Sequence, residues 1–143
     1  MAAGDASDAM GVGEAVVVAG IGCRKGVSAA EIEAVIAAAL QQAGFAQDRL
    51  GAIATPADKG EEAGIAAVAL LYGLPLLFVP KPDLEAAAAR CETHSERVLA
   101  VTGVPSVAEA AALAAGGPEA KLLLPRIVVG PATCALAETG VAP

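Results

Sequence analysis

The sequence has little to stack on and little positive charge. It contains no Trp, one Tyr (Tyr72), two Phe (Phe45 and Phe78) and one His (His94). Aromatic platforms for single-stranded nucleic acid are therefore scarce. Nine Lys and Arg stand against sixteen Asp and Glu, a formal net charge of −7, which is the wrong sign for a phosphate backbone or an anionic bilayer. Nucleic acid and membrane are both excluded as expected partners. Three cysteines (Cys23, Cys91, Cys134) form an odd set with no CxxC pair, and only His94 could join them. No metal site and no cofactor are expected, and a reducing, cytoplasmic compartment fits this usage.

Neither a signal sequence nor a membrane span is expected. MAAGDASDAM is acidic and has neither the cationic nor the apolar stretch of a signal peptide. Residues Ala63 to Pro80 carry no charge, yet Gly73 and Pro75 divide them into a helix-like half and a strand-like half.

What is present is an alternation. The 143 residues suffice for one domain that buries roughly two-thirds of its unfolded surface. Residues 1–13 read as a disordered lead, 14–138 as the domain and 139–143 as a tail. AVVVA (15–19) is a short apolar run suited to a strand covered on both faces. Ser28-Ala-Ala-Glu31 is a capping box, followed by Ile32, Val35, Ile36, Ala39 and Leu40 at helical spacing and Gly44 as a helix stop. Further strands are predicted at 51–55 and 76–79, with a helix over 61–72 between them. A short helix follows from Pro82 to Arg90, and a turn of helix at 96–101. A second capping box, Ser106-Val-Ala-Glu109, opens a helix closed by Gly116-Gly117. The end reads as strands at 122–124, 126–129 and 133–137, with turns at Pro125 and Gly130-Pro131.

This order predicts an α/β fold: a three-layer αβα sandwich with a mainly parallel sheet and a C-terminal hairpin. The 15–19 strand is expected at the centre, parallel to both neighbours, with Val16, Val17 and Val18 shielded from water. In such sheets ligands bind beyond the carboxyl ends of the strands. The loops there hold Arg24 and Lys25, then Lys59, then Lys81, so cations are expected to gather on one edge of an acidic chain, with Ser106 and Glu109 brought alongside.

The segment Gly20-Ile-Gly-Cys-Arg-Lys-Gly26-Val-Ser28 is the densest in chemistry. Its glycines predict a sharp turn and close ligand approach, and the capped helix behind it offers N–H groups to an anion. No phosphate-loop pattern is present, and GxGxxxG only approximates a dinucleotide fingerprint. Cys23 beside two cations is expected to have a lowered pKa, and with His94 and Glu109 it could form a nucleophilic set. Glu109 itself is either the acid of a capping box or a general base.

In combination and order, GIGCRKGVS with its SxxE helix, Lys59-Gly-Glu-Glu62-Ala-Gly64, and Gly103-Val-Pro-Ser106-Val-Ala-Glu109 resemble the CobE/CbiG C-terminal family over residues 15 to 138. Ala108 and Ala110 stand where many CbiG relatives carry Cys and Pro. The resemblance implies a role in cobalamin (corrin-ring) biosynthesis: binding a precorrin-type tetrapyrrole as carrier or chaperone, or opening a precorrin lactone as full-length CbiG does, alongside other corrin-pathway enzymes. The binding set it suggests is Gly20, Gly22, Cys23, Arg24, Lys25, Gly26, Ser28, Lys59, Glu62 and Ser106, with Glu109 and Cys23 as catalytic candidates. The alternative from the residues alone is a dinucleotide-binding or regulatory module built on the GxGxxxG loop.

Overall fold

A computed structural model describes residues 16–59 and 62–139. The lead at 1–13, the first residue of the 15–19 run and residues 140–143 lie outside them, as do Gly60 and Glu61. Five strands, β1 (Val17–Cys23), β2 (Leu50–Pro56), β3 (Leu76–Val79), β4 (Lys121–Val129) and β5 (Ala132–Glu138), form one sheet in the order β3-β2-β1-β5-β4. Five α-helices accompany it: α1 (Ala29–Ala43), α2 (Ala63–Tyr72), α3 (Lys81–Ala87), α4 (Glu96–Thr102) and α5 (Val107–Gly116). The uncharged 63–80 stretch is α2 followed by β3, and no helix among the described residues is long and apolar enough to cross a membrane.

Alternate residues of β1 point to opposite faces, and each face has its own core. Val17, Ala19 and Ile21 join Ile32, Val35 and Ile36 of α1 and Ile65 and Val68 of α2. Val18 joins Leu84 and Ala87 of α3 and the alanines of α5. The start of α1 follows its sequence signal: Ser28 Oγ accepts from the Glu31 N–H at 3.1 Å, and Glu31 Oε1 accepts from the Ser28 N–H at 3.0 Å.

Four expectations are corrected. The sheet is mixed, because β1 is parallel to β2 but antiparallel to β5; the hairpin β4–β5 folds back and inserts its second strand beside β1. Val16 is 40 % exposed, since it precedes the strand, with its backbone bonded to Thr139 and its side chain laid against Gly51. Gly20 and Gly22 do not turn; they continue β1 to Cys23. A Cβ on Gly20 would lie 2.0 Å from the Ala108 carbonyl oxygen and 2.7 Å from the Ala112 nitrogen, so this glycine admits the backbone of α5, not a ligand. Finally, Pro125 marks no turn. It sits within β4, an edge strand where a missing N–H is tolerated. Around it the register from Leu124↔Leu136 to Ile127↔Cys134 takes three steps on β4 for two on β5, a β-bulge.

Candidate functional site

β1, β2 and β3 run the same way, so their carboxyl ends open onto one edge, and the segments leaving them carry Arg24, Lys59 and, at the start of α3, Lys81 there. Over that edge lies a cleft of about 580 Å³, walled by Gly22 and Cys23 at the end of β1 and Arg24 after it, by Arg97, Val98, Val101 and Thr102 of α4, by Val107 of α5, and by Arg126, Val128 and Thr133 of the hairpin. A neighbouring hollow of about 460 Å³ shares Lys59, Val101, Thr102 and Val107 and adds Lys81. Cations and valines therefore line the same space. Val101 is 80 % exposed and Val128 59 %, so apolar surface faces the opening. The floor is held by side chains that close the end of β1: Thr55 Oγ1 donates to the Ile21 carbonyl at 3.0 Å and Thr133 Oγ1 to that of Gly22 at 3.2 Å.

Of the residues singled out in the sequence, Gly22, Cys23, Arg24 and Lys59 meet in this cleft. The others are placed elsewhere. Gly20 is covered by α5. Lys25, Gly26 and Ser28 are exposed and do not line either hollow. The expected anion cradle before α1 is filled by the chain's own carboxylates: Glu62 Oε1 accepts from the Gly26 N–H at 2.9 Å and Glu31 Oε1 from that of Ser28. Glu62 is thus a loop tie. The Arg24 amide donates to the Pro131 carbonyl at 3.0 Å, and Gly22 pairs with Thr133 of β5 in the same hydrogen-bonding register, so these two amides belong to the sheet. Ser106 is buried and caps α5 through the Glu109 N–H at 3.3 Å.

Burial pushes the Cys23 thiol up; the Lys59 charge pulls it down and Glu62 pushes it up again. The expectation of a lowered pKa is corrected: desolvation outweighs the cation. Burial also raises Cys91, with Glu109 beside it, to about 11, and burial alone raises Cys134 to about 12. Thiolate chemistry has no support here.

Glu109 is fully buried, at 0 % exposure. Its Oε1 accepts from the Glu92 and Thr93 N–H groups at 2.7 and 2.9 Å, and its Oε2 from the Arg126 N–H at 2.8 Å. Burial raises its pKa, but the bonds from Arg126, Thr93 and Glu92 outweigh that and hold it below the ordinary carboxylate range. It does not reach back to the Ser106 amide, so the second capping box is only half formed. Nor is this carboxylate free to take a proton from a ligand. No group of three or more His, Cys, Asp or Glu side chains could hold a metal ion among the described residues.

Sequence reasoning missed Arg97 and Arg126. Arg126 had a signal, being the one charge inside the apolar run Leu122–Val129; Arg97 had none beyond its place in a short helix.

Residues 17–137 match the family described as cobalamin synthesis G, C-terminus. The chain is 41% identical over 120 residues to Protein CobE of Sinorhizobium sp, covering 84% of this chain and 78% of that protein. It is 34% identical over 98 residues to the cobalt-precorrin-5A hydrolase of Priestia megaterium, a match that spans only 26% of the hydrolase. The crystal structure of CobE, a protein from the cobalamin (vitamin B12) biosynthetic pathway, superposes with a TM-score of 0.83 at 34% identity, covering 91% of this chain and 94% of that one.

Proposed function

The chain belongs to the cobalamin synthesis G C-terminal family, and from that premise we propose that it binds a precorrin-type tetrapyrrole in the cleft beyond β1–β3 and acts as a carrier that presents it to other corrin-pathway enzymes. A single observation carries this reading: one cleft combines exposed valines with Arg24, Lys59, Arg97 and Arg126 on a chain of net charge −7. A precorrin has the same two parts, an apolar ring face and a rim of carboxylates. Valines would cover the ring, and guanidinium forks suit carboxylates geometrically.

Carriage is preferred over lactone hydrolysis. Glu109 has its oxygens committed to backbone donors, and Cys23 is held as a thiol, so neither is prepared for proton transfer or attack. The hydrolase match covers a quarter of that enzyme, which leaves most of the enzyme's length unrepresented here. The dinucleotide reading gains no support: Gly20 lies under α5, Gly22 lies in β1, and the Gly26 N–H is taken by Glu62.

The test is an absorbance titration with uroporphyrin, a polycarboxylate tetrapyrrole, at two salt concentrations. A charge-assisted hydrogen bond contributes about 1.5–3 kcal/mol, so Arg24→Ala and Arg97→Ala should each weaken binding about tenfold or more. Lys25→Ala, outside the cleft, should change it by less than about twofold, in keeping with an exposed ion pair. Equal affinity in all variants would remove the cleft from the function.

A further inference from the structure

We propose that Glu109 is the positioning residue of the cleft: one buried carboxylate ties together the two walls that carry Arg97 and Arg126. This rests on the reading of the cleft as a tetrapyrrole site. Helix α5 is capped by Ser106 Oγ without help from the Glu109 carboxylate, so capping does not account for an acid here. The position is otherwise a place for small apolar residues, since Ala108, Ala110, Ala111 and Ala112 around it are all fully buried. A carboxylate is costly to bury unless every oxygen is satisfied, and this one is satisfied by amides from outside its own helix.

Those amides belong to two separate segments. Glu92 and Thr93 lie in the strap that leads into α4, whose Arg97, Val98, Val101 and Thr102 form one side of the cleft. Arg126 lies in the bulge between Leu124 and Ile127, and its side chain and Val128 form another. Other ties flank the two segments without reaching the same amides: Cys91, just before the strap, is buried in the core, and Leu124 and Ile127 on either side of Arg126 pair with β5. Helix α4 has no buried residue; besides its own turns, the described anchors near it are the Ser95 N–H to the Pro105 carbonyl at 3.2 Å and the Thr102 hydroxyl to the Val104 carbonyl at 3.0 Å. The β4 side is interrupted where Arg126 sits, between Leu124 and Ile127. Glu109 therefore holds both arginine-bearing segments against the head of α5, so that both cations are in place before a ligand arrives.

The experiment compares wild type with Glu109→Gln. The amide side chain keeps the volume but has one acceptor oxygen in place of two, so it must release either the strap or Arg126. Backbone amide exchange is followed residue by residue, and uroporphyrin affinity is measured for Glu109→Gln, Arg97→Ala, Arg126→Ala and the double variants. Expected are faster exchange at Glu92, Thr93 or Arg126, unchanged exchange in β1 and α1, and binding weakened about tenfold. In the Glu109→Gln background, removing the arginine whose segment is released should cost much less than it does in wild type, a coupling that a purely structural role would not produce. Full additivity at both arginines, or unchanged exchange at all three amides, would overturn the proposal. Should wild type fail to bind uroporphyrin, the proposed function falls, while the exchange pattern still decides whether Glu109 holds the two walls. If Glu109→Gln does not fold, Glu109→Asp, which retains both oxygens but draws them back by one methylene, is put through the same measurements with the same deciding outcomes.

Discussion

Two helices of this protein begin with the same four-residue signature, and they use it differently. At α1, Ser28 and Glu31 close the reciprocal box, each accepting from the other's backbone. At α5, Ser106 does its half, while Glu109 turns away to Glu92, Thr93 and Arg126. The difference is the surroundings. Ser28 and Glu31 are exposed, so water can serve any donor they leave, and the local partner wins. Ser106 and Glu109 are fully buried, so water does not serve the carboxylate, and a buried polar group left unpaired costs about 1–3 kcal/mol. The signature thus specifies where a helix starts; burial decides what its glutamate serves.

The comparison breaks most easily at the two glutamates. Glu109→Ala removes the acceptor of three part-buried amides in two segments and should cost about 3 kcal/mol, whereas Glu31→Ala should cost about 0.5–1 kcal/mol as a surface cap loss. Urea unfolding of both variants measures this, and similar midpoints would show that Glu109 is only a cap. Acid unfolding sharpens the point. The folded pKa of Glu109 lies below its unfolded value, so its contribution is fully present above the ordinary carboxylate range of about 4.3. It is lost as pH falls through the lower folded value. Cys91 and Glu92 are its titratable neighbours, and the Cys91 thiol, raised to about 11, stays neutral throughout. Glu109→Gln should therefore lose less stability than wild type between about pH 5 and pH 2; parallel curves would show the carboxylate is not held as described. The smallest effect is expected at the serines: about 1–2 kcal/mol for Ser106→Ala, which leaves a buried N–H open, and about 0.5–1 kcal/mol for Ser28→Ala. A larger loss at Ser28 would reverse the order.

Local chemistry made much of this molecule legible. Helix α1 was readable down to its cap and stop, and β2, β3, α2 and α4 were found within a residue or two, because periodicity and glycine stops are local signals. The failures all involve partners distant in sequence. Nothing in GIGC says that a helix ninety residues later presses against it, so its glycines read as a loop. Pro125 reads as a turn unless the strand is known to lie at an edge. The antiparallel pairing of β1 with β5 follows from where the hairpin docks, which no pattern in either strand encodes. At the site, the cations on the loops after β1 and β2 were found from topology alone. Arg97 and Arg126 were not, because one stands on a helix with no buried face and the other on a bulge.

The close approach of α5 to Gly20 gives the two sides of the sheet opposite vulnerabilities. Beneath α1 and α2 the filling is Ile, Val and Leu, and damage there takes the form of empty space, with a cost that grows with the volume removed. Against α5 the filling at the closest point is a missing Cβ and a row of methyl groups, where there is almost nothing to remove and each added carbon must displace backbone. Sequence drift is therefore bounded from below on one side and from above on the other. A survey of tolerated substitutions should find the α1 side resisting shrinkage and the α5 side resisting growth, a lopsidedness set by one hydrogen atom at position 20.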